Sequence, residues 1–240
     1  MSALADAVAA IRKLRPRKVV VFTGAGVSAD SGIPTFRGNE GLWRTFRAED
    51  LATPEAFLRD PLLVWEWYEM RRAIIRAAAP NAAHQAVAAL PGAVVVTQNV
   101  DGLHARAGSA DVVELHGNIF RVRCTREGTR AARPEPFDSL PPVCECGALL
   151  RPDVVWFGEM LAEEAIARAS TAMIGADLLL VIGTSGVVYP AAGLVSLHDG
   201  LSIEINPQAS TLSSACTIAI AARAAEAAPA IVEAILEENR

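Results

Sequence analysis

His116 stands at the end of a short apolar run, Val112-Val113-Glu114-Leu115, and an imidazole has the side-chain pKa best placed for moving a proton near neutral pH. Gln98, Asn99 and Asp101 follow a second run, Ala93–Val96. Two amides and a carboxylate thus fall at a strand's carboxyl end, where an open α/β sheet receives ligands. Gly24-Ala25-Gly26 follows a third run, Val19–Phe22, and a glycine turn there lets backbone amides approach a pyrophosphate. Tyr68 and Arg71, three residues apart, share one face of a helix. Cys124, Cys144 and Cys146 offer soft metal ligands. On residue types alone each group has a structural alternative: a satisfied core histidine, an Asx-capped turn, a glycine that only permits reversal, a solvated arginine face.

These residues need rigid elements to hold them. At 240 residues, with 52% hydrophobic and 20% charged residues, the chain is long and apolar enough for one large domain, or a large one with a satellite. A net charge of −5 argues against nucleic acid as the main partner, and no apolar stretch approaches the ~20 residues that span a bilayer. The start reads as a helix capped by Ser2 rather than a leader, and four cysteines without a secretory framework suggest a reducing cytoplasm. Asp60-Pro61 opens a helix that runs toward residue 79, and Pro80-Asn81 closes it. A short helix follows over His84–Leu90. Strands are predicted at Val19–Phe22, Ala93–Val96, Val112–Leu115, Val154–Phe157, Leu178–Ile182 and Ser202–Ile205, with helices over Ala162–Ile174 and Ala221–Glu238. Between Asn118 and Arg151, prolines, arginines and three cysteines mark an excursion from the sheet.

The first turn is not an ordinary dinucleotide fingerprint: position 29 carries Ala29, and Pro34 with its flanking glycines breaks any following helix. The stretch GAGVSADSGIPTFRG resembles the cofactor-binding signature of the sirtuins, the NAD-dependent protein-lysine deacylases. Gln98-Asn99-Val100-Asp101, His116-Gly117, Phe157-Gly158-Glu159 and Gly183-Thr184-Ser185 extend the similarity over nearly the whole chain. It implies an α/β fold: a Rossmann-like parallel sheet with helices on both faces, plus a smaller domain made of a helical insert and a degenerate zinc-ribbon-like module. Residues 1–37, 81–117 and 153–240 would form the first, and 38–80 with 118–152 the second.

By the same resemblance NAD is consumed as co-substrate. His116 would take a proton from its ribose after the acyl oxygen has attacked C1′ and nicotinamide has left, and free lysine and O-acyl-ADP-ribose would follow. Gly24, Ala25, Gly26 and Ala29 would line the diphosphate, with Phe36 and Arg37 covering the ribose. Asn99 and Asp101 would hold the carboxamide, with Gln98 beside the ribose. Gly183, Thr184 and Ser185 would meet phosphate or ribose, Asn206 the adenosine ribose, and Ala224 the adenine. His84, His104 and His198 occupy no motif position and read as structural. Val155, Trp156, Phe157 and Gly158 on one side, and Val187 on the other, resemble the two edges that clamp an extended acyl-lysine peptide.

Within the family, Tyr68, Arg71 and the small Ala52 resemble the class that removes succinyl, malonyl or glutaryl groups. Deacetylation alone, mono-ADP-ribosyl transfer and a non-catalytic NAD sensor are the competing readings. The usual two Cys-x-x-Cys pairs are incomplete here, since Glu127 follows Cys124 and the other pair is contracted to Cys144-Glu145-Cys146. This spacing fits tetrahedral geometry poorly, so no tightly bound zinc is expected; Cys124, Cys144 and Cys146, with Glu127, are its ligands if one is held. No nucleic-acid or membrane partner and a monomeric state are expected.

Overall fold

A computed structural model describes residues 2–35 and 48–238. Six strands build one parallel sheet: β1 (Val19–Thr23), β2 (Val94–Thr97), β3 (Asp111–Glu114), β7 (Leu178–Ile182), β8 (Leu201–Ile205) and β9 (Ile218–Ile220). Their spatial order is β3-β2-β1-β7-β8-β9. The chain therefore winds outward one way from β1 and then the other way from β7, and the crevice between these two carboxyl ends is the topological switch point where doubly wound sheets take ligands.

Period-two alternation explains why these strands read as unbroken apolar runs. Val19 and Val21 face helices α1 (Ala3–Leu14), α5 (Ala82–Ala88) and α8 (Ala224–Glu238). Val20 and Phe22 face α7 (Glu163–Gly175) and the 3₁₀ helix Ala191–Leu197. Leu178–Ile182 alternates in the same way, so both faces are covered and every position is buried. Each buried leucine, valine or isoleucine contributes roughly 1.5 to 3 kcal/mol. Ser2 caps α1 as expected, its hydroxyl accepting the amide of Ala5.

A second, antiparallel sheet of order β5-β4-β6 comprises β4 (Gly117–Cys124), β5 (Arg130–Ala132) and β6 (Leu150–Val154). It shares a core with α2 (Ala48–Leu51), α3 (Pro54–Arg59) and α4 (Pro61–Ala77): Trp65, Trp67, Tyr68 and Ile75 pack with Ile119, Val122, Val154 and Trp156.

Two expectations are corrected and one is filled in. The returning strand is Leu150–Val154 and belongs to the small sheet; Val155–Gly158 leaves it as a loop. The excursion after Asn118 contains strands β4 and β5 of the small sheet, whose half-exposed, arginine-bearing pattern hid them from the sequence. Ile218–Ile220 forms an edge strand, delaying the last helix to Ala224.

Candidate functional site

The carboxyl ends of β1 and β7 touch. Gly24 and Gly26 donate their amides to the carbonyls of Ile182 and Gly183, at 3.1 and 2.8 Å. A Cβ on Gly24 would lie 2.9 Å from the Gly183 oxygen, and one on Gly26 2.8 Å from the Gly183 Cα. Glycine is thus required by turn-on-turn contact. The amides of Gly24 and Gly26 are thereby used within the fold. Ala25 opens the 3₁₀ helix Ala25–Ser31, and Ala29 lies exposed near its far end. Phe36 and Arg37 lie outside the described residues.

Asn99, Asp101 and Ser28 converge at the bottom of this crevice, all nearly fully buried. Asn99 Nδ2 donates to the Gly24 carbonyl at 3.1 Å and to Ser28 Oγ at 3.2 Å, and Ser28 donates to Asp101 Oδ2 at 2.8 Å. The other Asp101 oxygen accepts the Leu103 amide at 2.9 Å. Burial raises the Asp101 pKa, offset by that amide, the Ser28 hydroxyl and the guanidinium groups of Arg106 and Arg71. The result is a buried cluster that sets an amide and a carboxylate side by side, groups whose chemistry suits a primary carboxamide.

Ser28 carried no expected role, nor did the histidine behind it. The Asn81 amide donates to His84 Nδ1 at 3.3 Å, part of the box that caps α5, so the proton of the neutral ring sits on Nε2, 3.4 Å from Ser28 Oγ. His104, on the short helix α6 (Leu103–Ala107), has its Nε2 3.1 Å from Thr23 Oγ1 and its ring 4.8 Å from that of His84. Burial lowers the pKa of His84 to about 4 and that of His104 to about 3. The His104 ring sits against the Thr23 hydroxyl, and the His84 ring supports the Ser28–Asp101 pair. The only sequence signal was the cap spacing Asn81-x-x-His84.

On the β7 side, Gln98 Nε2 donates to Thr184 Oγ1 at 2.9 Å and Asn206 Nδ2 to the Thr184 carbonyl at 2.7 Å. The Ser185 carbonyl accepts from the amide and hydroxyl of Thr211. These residues line one rim. Ala224 is set apart, buried in the core at the start of α8.

His116 closes the junction between the two sheets. Its Nδ1 lies 2.8 Å from the Gln98 carbonyl, and its own carbonyl accepts the Val155 amide at 2.9 Å. A carbonyl can only accept, so Nδ1 carries the proton and Nε2 is the basic nitrogen. Burial lowers the pKa and the Gln98 contact partly restores it, leaving the ring neutral at physiological pH.

Tyr68 and Arg71 do share one face of α4. Tyr68 is 1% exposed, and Arg71 has its guanidinium carbon 4.8 Å from the Trp67 ring centre and 5.7 Å from that of Tyr68. Burial lowers the Arg71 pKa, while the phenol of Tyr68 and the carboxylate of Asp101 counter it. Arg71 therefore lies within electrostatic reach of Asp101. Arg72, its neighbour, belongs elsewhere: fully buried, it pairs with Glu69 and donates to the carbonyls of Ile119, Arg133 and Glu135. The reading of the arginine pair as a solvated face is thereby excluded. Ala52 is buried, and its carbonyl accepts the Phe157 amide at 2.9 Å. Phe157 and Val187 expose apolar side chains, Gly158 adopts φ +85°, and Val155 and Trp156 turn inward.

Cys124 lies at the end of β4 and Cys144 and Cys146 in the tight turn before β6. The Cys124 and Cys146 sulfurs are 3.5 Å apart, and with Cys144 and Glu127 the four ligand atoms lie within 4.8 Å of one another. Tetrahedral zinc with bonds of about 2.3 Å asks for sulfurs about 3.8 Å apart. The objection from Cys-x-Cys spacing is corrected: the turn folds the contracted pair onto Cys124, and Glu127 comes with it. The residues present fit a zinc ion. Cys216 lies elsewhere, packed against the sheet, its thiol pushed up to about 11 by burial and the Glu204 carboxylate.

A doubly wound sheet with a polar crevice at its switch point, joined to a cysteine-bearing antiparallel module, defines an α/β protein built to take a dinucleotide. The chain belongs to the Sir2 family, whose sequence model matches residues 24–190. It is 52% identical over 232 residues to NAD-dependent protein deacylase 2 of Pyrobaculum aerophilum, with 93% of each chain covered. A solved Sir2 homologue–NAD complex superposes with a TM-score of 0.90 at 43% identity, covering 95% of this chain and 93% of that one. A Sir2–p53 peptide–NAD+ complex superposes with a TM-score of 0.80 at 31% identity, covering 95% and 96%. Among the described residues no helix is long and apolar enough to cross a membrane.

Proposed function

We propose that this chain is an NAD-dependent protein-lysine deacylase that prefers acyl groups ending in a carboxylate, succinyl and malonyl, over acetyl. Family membership and the deacylase relatives support the reaction. The acyl preference rests on one observation: Tyr68 and Arg71 on a single face of α4, the first buried, the second close enough to Asp101 to feel its charge.

NAD supplies the electrophilic ribose carbon and is consumed. Asn99 and Asp101 receive the carboxamide from buried positions that hydrogen bonds to Gly24, Ser28 and Leu103 already fix, so their dipoles need little reorganisation. His116, neutral and basic at Nε2, accepts the proton released by a sugar hydroxyl. Phe157 and Val187 lie on the exposed edges that take an extended peptide, and a related solved structure is a complex with a p53 peptide. Ala52 leaves room for a longer acyl chain, and Tyr68 and Arg71 meet its terminal carboxylate.

A charge-assisted hydrogen bond to arginine is worth about 1.5 to 3 kcal/mol net, or roughly ten- to a hundredfold in discrimination. The test compares kcat/KM on one peptide carrying acetyl, malonyl, succinyl or glutaryl lysine, with native enzyme and Arg71→Met. The variant is expected to lose its succinyl rate by at least tenfold more than its acetyl rate. Equal losses on both peptides would defeat the acyl assignment and leave the deacylase reading standing.

A further inference from the structure

Behind the acyl end of the site lies a support that the family motifs do not explain. Trp156 Nε1 donates to the Tyr68 hydroxyl oxygen at 2.8 Å, and both residues are buried. An indole N–H is a donor only, so the phenol oxygen must accept. Its own proton has no acceptor among the described residues. Since a phenol O–H prefers the plane of its ring, occupation of one side directs the proton to the other. Burial pushes the Tyr68 pKa up to about 12, so the hydroxyl keeps that proton at any physiological pH.

The indole itself is held on every side. The Arg151 guanidinium carbon lies 3.4 Å from its ring centre, and the Phe57 ring packs at 5.3 Å. Arg151 grips Glu159 through two bonds of 2.5 and 2.9 Å and donates to the Val154 carbonyl at 3.0 Å. Glu159 in turn accepts the Trp156 amide at 2.9 Å. The adjacent Phe157 amide is tied to Ala52, so the strap that holds the indole also fixes the small residue of the acyl pocket.

We propose that Trp156 is a positioning residue for acyl choice: its N–H occupies one face of the Tyr68 hydroxyl and makes the phenol an obligate donor to the terminal carboxylate of the acyl group. The role rests on the carboxylate-selective reading above. A Trp156 that merely fills the core would matter equally for every acyl chain, whereas one that orients a donor matters only where an acceptor arrives.

Trp156→Phe keeps an aromatic face over Arg151 and removes the N–H. With one hydrogen bond lost, succinyl kcat/KM is expected to fall by about fivefold more than acetyl kcat/KM, chiefly through KM. In a Tyr68→Phe background the same change should alter the succinyl-to-acetyl ratio by less than about twofold, because its target is gone. Benzothienylalanine at position 156, with sulfur in place of N–H, repeats the measurement in the original ring shape if the phenylalanine variant folds poorly. Equal losses on both peptides, or effects that add in the double variant, overturn the proposal. Should Arg71→Met abolish succinyl preference while both changes at 156 leave it intact, only this proposal fails. Should Arg71→Met preserve the preference, the acyl reading fails and this proposal with it.

Discussion

His116 and Gln98 are joined by a 2.8 Å hydrogen bond from imidazole Nδ1 to the backbone carbonyl, which leaves Nε2 as the basic nitrogen. Because burial lowers the His116 pKa, the base is already deprotonated at neutral pH. Activity should therefore hold from neutral pH downward and fall only as pH drops below the ordinary histidine value of about 6.5. A pH profile of kcat/KM reads this directly, and an acidic midpoint at or above that value contradicts it. His116→Gln, unable to take the proton, is expected to lose roughly 10²- to 10⁴-fold in kcat.

The contact between the two strand-end turns makes Gly183 a stability determinant. It sits at φ +62°, and a Cβ there would stand 2.3 Å from the Val27 nitrogen and 2.5 Å from the Gly26 carbonyl carbon. Left-handed strain in a residue other than glycine costs on the order of 1 to 3 kcal/mol, and backbone overlap adds to it. For Gly183→Ala a loss of about 3 kcal/mol translates into roughly 6 to 12 °C in Tm for a chain of this size. Gly92, also at positive φ but with open space around it, is the control, and its alanine variant should lose less than half as much by calorimetry.

What the sequence disclosed follows burial. Leu178–Ile182, apolar on both faces, was legible to its end residues, and so were the turns that deliver His116 and Asp101, because period and motif coincide there. Strand β4 was not, since Arg121 and Arg123 keep half of it wet. Pairings across long separations left no local trace. Trp156 reaches Tyr68 across 88 positions, and Cys146 reaches Cys124 through a turn whose closure no ligand spacing announces. Ser28 and His84 were hidden for the same reason: a buried serine looks ordinary until its 56-residue-distant partner is in place.

The buried histidine pair gives the fold a defined acid limit. His84 and His104 titrate near 4 and 3 when folded and near 6.5 when unfolded, so below about 6.5 the unfolded chain binds more protons. Stability is thus fully present above that value and lost as pH falls from there toward 4. For His84 alone the loss is up to about 3 kcal/mol, since each tenfold difference in proton affinity between the folded and unfolded chain is worth about 1.4 kcal/mol. Melting curves between pH 7.5 and 4.5 should show Tm falling with acid. His84→Gln, which cannot titrate, should flatten that slope even though it lowers Tm at neutral pH by loosening the α5 cap; an unchanged slope would remove His84 from the account.

The cysteine module carries the last prediction. Three cysteine sulfurs and Glu127 converge within 4.8 Å, and the Glu127 amide, the foremost of several donors, lowers the Cys124 pKa and favours the thiolate that a metal needs. Protein purified without a histidine tag is expected to hold one equivalent of zinc by elemental analysis. A carboxylate is a harder ligand than a thiolate, so chelator competition should extract the ion more readily than from a site of four cysteines. Removal should lower Tm, because the ion links β4 to the turn before β6, and added zinc should restore it. Cys146→Ser should abolish retention, while Glu127→Ala, with water as a substitute ligand, should weaken it. Less than about 0.2 equivalent together with a chelator-insensitive Tm would show that the four groups meet without a metal.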